Sequence, residues 1–131
     1  LECFRRMREA LLSHPGVTPL LGTGASVSAE SLGVLEQVVA GLREVCGSDA
    51  AAAESFYAML SFTVGTVHIE QGMRRVLNAG ELGSASELSA RLSPRDGATL
   101  LRLAPQVVAQ ADEGPFMRTL ERLCPQAQLR I

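Results

Sequence analysis

The sequence has no lysine and no tryptophan, a single tyrosine, and three cysteines of which no two stand at metal-ligand spacing. Each gap removes a class of chemistry. Without lysine there is no Schiff-base amine and no phosphate-binding P-loop lysine. Cys3, Cys46 and Cys124 are odd in number and far apart, which indicates neither a zinc site nor a disulfide framework; reduced, mostly buried thiols are expected. No apolar run approaches the roughly 20 residues that cross a bilayer, and no basic-then-apolar leader opens the chain, so the expectation is a cytoplasmic location without membrane contact. A net charge of −2 gives no electrostatic grip on nucleic acid.

What is present is apolar and helical. Of 131 residues, 47% are apolar and 20% charged, the balance of one globular domain with a real core. Strand patterns are nearly absent, and almost every periodic segment repeats at about 3.6 residues.

The first segment, ECFRRMREALLSH, puts Phe4, Met7 and Leu11 on one face and Arg5, Arg8 and Glu9 outside, with Glu2 and Arg6 able to pair at i,i+4. Pro15-Gly16 ends it, and His14 suits a helix C-terminus. Nothing caps its start and the first residue is Leu1, so an upstream part is expected.

A second helix should open at Ser28, carry a stripe of Leu32, Leu35, Val39, Leu42 and Cys46, and stop at Gly47. A third should start at Ser48 or Asp49 and run to about Gly72. From Ser55 to Ile69 it holds neither a carboxylate nor an arginine, so it needs cover on all sides, and one small domain covers only part of it. A second copy of the chain is the simplest cover for the rest.

Residues 73–93 break the pattern. Ser93-Pro94-Arg95-Asp96 then reads as a helix start, with Leu100, Leu103, Val107 and Val108 as its stripe and Pro105 expected to kink or divide it. Asp112 or Gly114 precedes a last short helix lined by Phe116, Leu120 and Leu123 and closed by Pro125.

Catalytic motifs are weak. Gly22-Thr-Gly-Ala-Ser26 invites a nucleotide-loop reading, but the third glycine position holds Val27 and Pro19 interrupts any preceding strand, so a helix connector is favoured. His68-Ile69-Glu70 lacks the P-C-x-x-C partner of a zinc deaminase, and a histidine lining a core or pocket is preferred to a metal ligand. Glu70 reads as a solvated helix terminus in preference to a polar contact in a pocket. No G-x-S-x-G elbow anchors a hydrolase. The hydroxyls of Tyr57, Ser61, Thr63 and Thr66 fit equally a back-bond to the i−4 carbonyl and the few polar groups of an apolar cavity.

The order of whole segments resembles a known family. HPGVTPLLGTG, the amphipathic helix ending in Gly47, and DAAAAESFYAMLSFTVGTV with Phe56, Tyr57, Phe62, Gly65 and Glu70 resemble the C-terminal domain of tetracycline-repressor-type (TetR) transcriptional regulators. Leu103-Ala104-Pro105, Asp112 and the F-x-x-x-L-x-x-L of FMRTLERL are similar to the end of that domain. The likeness covers most of the chain, most weakly between residues 73 and 93. Arginine in place of lysine throughout also suits a GC-rich bacterial genome.

The resemblance implies an all-α bundle of about five to six helices, with residues 1–131 forming one C-terminal effector-binding and dimerisation domain. The helix-turn-helix domain is absent from this sequence, so DNA is expected only through that missing N-terminal part. A homodimer through a four-helix interface would use Ala58, Phe62, Gly65, Ile69, Phe116, Leu120 and Leu123. A small, mostly apolar effector would sit near Phe56, Met59, Thr63 and Val67, walled by Phe4, Met7, Leu11 and Leu35, and would act by moving the first helix. No cofactor, metal or catalytic residue is expected. The alternatives are a helical protein-interaction module without a cavity and a small helical enzyme.

Overall fold

A computed structural model describes residues 1–22, 28–78 and 97–124. The described residues are all-α: α1 (Glu2–Ser13), a short 3-10 turn (Thr18–Gly22), α2 (Ala29–Cys46), α3 (Asp49–Asn78), α4 (Ala98–Val108) and α5 (Glu113–Leu123). Helix α3 is the axis of the bundle, with α1, α2, α5 and the 3-10 turn packed on it.

Helix α1 starts at Leu1 without a side-chain cap. Its first turn is held instead by an exposed ladder: Arg5 Nε donates to Glu2 at 2.7 Å, Arg6 Nε to Glu2 at 2.9 Å, and Arg5 Nη1 to Glu9 at 2.5 Å. Donation from Arg5, then Arg6, holds the Glu2 carboxyl down at about 2. At the other end the backbone N–H of His14 donates to the Ala10 and Leu11 carbonyls, and its Nδ1 lies 2.9 Å from the Ala10 oxygen. The expected helix-end role is the one observed. On the inner face Phe4, Arg8 and Leu11 are buried. Arg8 was expected outside; it stands four residues after Phe4 and three before Leu11, so helical geometry puts it between them.

Helix α2 is bounded as its sequence predicts. Ser28 Oγ accepts from Ser31 N–H, and Gly47 closes the helix in the left-handed region at φ 76°. Its burial departs from the expected stripe. Val38, Leu42, Val45 and Cys46 reach the core, whereas residues 29–37 are exposed, Leu32 and Leu35 among them. The joint at Gly47-Ser48 enforces contact with α3 only near the C-terminal end of α2, and the first half meets no cover among the described residues.

Helix α3 begins under Ser48, whose Oγ accepts from Ala51 N–H at 3.2 Å. It runs 30 residues, to Asn78, past the Gly72 where it was expected to end. A lone glycine costs a helix only about 1 kcal/mol and does not stop one. Ala52, Met59, Thr63, Val67, Glu70 and Gln71 form its buried side. Tyr57, Ser61, Gly65, His68 and Ile69 are exposed; the first four repeat at intervals of 4, 4 and 3 residues, a continuous helical face.

Pro105 lies inside α4 without dividing it. Leu103, Val107 and Val108 are exposed there. Helix α5 is capped by Asp112, whose Oδ1 accepts from Glu113 N–H at 2.8 Å, and buries Phe116 and Leu120. The core cluster joins these two with Phe4, Cys46, Ala52, Met59 and Cys124. Cys46 and Cys124 are buried and Cys3 is exposed. The glycine-rich bend from Thr23, the Ser93–Asp96 helix start and the closing Pro125 lie outside the described residues.

Candidate functional site

Where α1 crosses α3 the chain buries a charged pair. Arg8 Nη2 donates to Glu70 Oε1 at 2.7 Å, with Nε at 3.3 Å from the same oxygen, and the two side chains are 7% and 2% exposed. The Arg8 guanidinium also lies 5.2 Å from the centre of the Phe116 ring, a cation–π contact that joins α5 to the same junction. One residue along, Gln71 Nε2 donates to the Leu11 carbonyl at 2.8 Å. The first helix is therefore held on the third by two polar contacts as well as by packing.

Glu70 is thus not the solvated terminus expected of it. The signal was in the register: 59, 63, 67 and 70 continue one helical side, and Glu70 is the first carboxylate after the uncharged run. His68 turns to solvent instead of lining a core or pocket. Thr63 is fully buried, and its Oγ1 donates to the Met59 carbonyl at 2.7 Å. Of the two readings open for that hydroxyl, the back-bond is the one observed.

Two of the clefts among the described residues flank the bundle. One, of about 450 Å³, lies between α1 and the second half of α2, with Phe4, Val38, Gly41, Leu42 and Val45 in its wall. The other, of about 350 Å³, is a half-open recess lined by Phe62, Thr66, Ile69 and Met73 of α3, Val107 of α4, Gln110 and Ala111 after it, and Phe116 and Thr119 of α5. Glu70 lines this second cleft, and its Oε2 is buried without a hydrogen-bond partner among the described residues.

The residues expected to line an effector cavity are largely brought together, but as solid packing. Met59, Thr63 and Val67 are fully buried, Phe4 and Leu11 nearly so, and Phe4 sits against Phe56 with ring centres 6.4 Å apart. Met7 and Phe56 pack half-buried against the core, while Leu35 faces solvent. Of this set only Phe4 lines a cleft; neither cleft reaches the other seven. Helices α1, α2 and α3 close on one another there and leave no hollow beside Met59 or Val67 in either cleft.

The residues expected at a dimer interface divide. Phe116 and Leu120 are covered by their own chain: Phe116 is 1% exposed and stacks on Phe62 at 5.4 Å, and Leu120 is fully buried. They build the core and have no free surface to offer a partner. Ala58, Phe62 and Leu123 are half-buried, and Gly65 and Ile69 are open. Chemically the arrangement provides apolar recesses, buried oxygens on Thr18, Glu70 and Gln71 without a hydrogen-bond partner among the described residues, and open helix faces. Among the described residues no group of three or more His, Cys, Asp or Glu side chains could hold a metal ion, and no helix is long and apolar enough to cross a membrane.

Comparison with known proteins agrees with this architecture. The family model for the tetracyclin repressor-like, C-terminal domain matches residues 1–114, which takes in α1 to α4 and the start of α5. No curated protein and no solved structure matches the chain. With the family model spanning most of its length, the chain belongs to the tetracyclin repressor-like C-terminal domain family.

Proposed function

We propose that this chain is the effector-sensing and dimerising domain of a bacterial, cytoplasmic TetR-type transcriptional regulator, whose DNA contacts are made by a helix-turn-helix domain outside this sequence. The family match over residues 1–114 carries the reading. The way α1 is fastened supports it. A sensor needs an element that leads toward the DNA-binding part and responds to what happens in the bundle. Helix α1 is N-terminal, and Arg8–Glu70 and Gln71–Leu11 tie it to α3 beside a cleft. An effector that alters this junction shifts α1, and a coupling of about 1–3 kcal/mol between effector and operator is enough for regulation.

Dimerisation is proposed through the open face of α3: Tyr57, Ser61, Gly65 and His68, with Ile69 at its edge. Ser61 and Gly65 are small and lie between the exposed Tyr57 and Ile69, so the middle of the face suits close approach of two helices while its ends offer large side chains to bury. A Cβ built at Gly65 meets nothing within 4 Å among the described residues. Those residues give no reason for a glycine that costs the helix about 1 kcal/mol against alanine, whereas a partner helix at close range gives one.

The test is operator selection. The full-length regulator, incubated with random DNA duplexes, should enrich two-fold symmetric sites whose half-sites are centred about 34 Å apart, or a multiple of it. Enrichment of single asymmetric sites, or of none, contradicts a symmetric repressor-type dimer.

A further inference from the structure

We infer that the cleft between α3, α4 and α5 binds a small apolar molecule carrying a neutral hydrogen-bond donor, a hydroxyl or an N–H, with Glu70 Oε2 as its anchor. This rests on reading the chain as a sensor and names the ligand class and the site. It is a different place from the expected cavity around Met59, Thr63 and Val67, which packing fills.

Three observations carry it. The first is shape and lining: a recess of about 350 Å³ walled mainly by Phe62, Ile69, Met73, Val107 and Phe116, room for a two-ring aromatic body in a mostly apolar site. The second is an orphan acceptor: of the three buried oxygens without a hydrogen-bond partner among the described residues, on Thr18, Glu70 and Gln71, only that of Glu70 belongs to a residue that lines this cleft. Glu70 is 2% exposed, its Oε1 is taken by Arg8, and its Oε2 is buried and lacks a hydrogen-bond partner among the described residues. A buried carboxylate oxygen left unpaired is costly, and a donor that enters the cleft relieves the cost.

The third is charge. Arg8 already meets the Glu70 carboxylate at 2.7 Å, and Arg74 Nη2 stands 4.0 Å from Oε2. A cationic ligand would meet two guanidinium groups around one carboxylate. A neutral donor supplies the missing hydrogen bond without adding a third positive charge. A ligand held on Oε2 draws on the same carboxylate that Arg8 holds, so occupancy of the cleft reaches α1 through one side chain.

The test is a calorimetric titration of the intact protein with 1-naphthol, 1-methoxynaphthalene and protonated 1-naphthylmethylamine. Naphthol should bind at least about tenfold more tightly than its methyl ether, the scale of one hydrogen bond to a charged acceptor. Equal binding of naphthol and ether, no naphthol binding, or tighter binding of the ammonium probe overturns the proposal. Ala111→Leu narrows the cleft without touching the ion pair and should abolish naphthol binding with thermal stability retained; unchanged binding places the ligand elsewhere and overturns the site. Glu70→Gln should erase the preference for naphthol over the ether, and a preference that persists overturns the anchor. If these titrations fail while symmetric operators are still selected, the site is wrong and the regulator stands. If selection fails while the titrations hold, the reverse applies.

Discussion

Glu70→Leu is expected to destabilise the fold by about 3–5 kcal/mol, because it leaves the Arg8 guanidinium buried without its counter-charge. Arg8→Met should cost less. Arg74 stands 4.0 Å from Glu70 Oε2 with a mostly exposed side chain, and it can move in to meet the carboxylate, whereas an abandoned Arg8 keeps, among the described residues, the Phe116 ring and no counter-charge. The double variant Arg8→Met with Glu70→Leu should recover most of the loss, since two apolar side chains of similar volume need neither desolvation nor pairing. Urea unfolding of the four proteins measures this directly. Single variants that each cost under about 1 kcal/mol would mean that the pair is wetted.

Phe116→Ala is expected to cost about 3–5 kcal/mol. The ring is fully covered, stacks on Phe62 with an interplanar angle of 14°, and carries Arg8 on its face. Its removal opens a hollow in the core and withdraws the support of the ion pair at once. Val107→Ala provides the contrast: that side chain is 58% exposed, and its loss should stay within about 0.5 kcal/mol. If Phe116→Ala unfolds no more easily than Val107→Ala, α5 does not belong to the core and its stripe is free for a partner after all.

Sequence reading reaches its end at α5. Phe116, Leu120 and Leu123 announce an apolar face on α5, and the period is right, but a period cannot say whether the cover is the same chain or another. Here α3 and α1 supply it for Phe116, through Phe62 and Arg8. The same ambiguity misplaced Leu32 and Leu35, which are in phase with Leu42 yet stand on the half of α2 that nothing covers among the described residues. Local chemistry was the legible part. Ser28, Gly47 and Asp112 bound their helices through hydrogen bonds or a backbone angle that depends on a residue or two. The family, too, was readable, from the order of soft segments. Arg8 and Glu70 escaped because a charge is read as outward by default, although each sits in register with a buried stripe and each has the opposite sign to the other. A cleft made by three helices left no mark in any one of them.

Position 65 decides whether two copies meet on the open face of α3. Sedimentation of the intact protein and of Gly65→Arg, at matched concentrations, should give a dimer and a monomer. The variant should keep its helical content, because arginine favours a helix over glycine by about 0.8 kcal/mol or more and the site is open among the described residues. A parent protein that sediments as a monomer, or a Gly65→Arg variant that remains a dimer, would contradict association through the open face of α3.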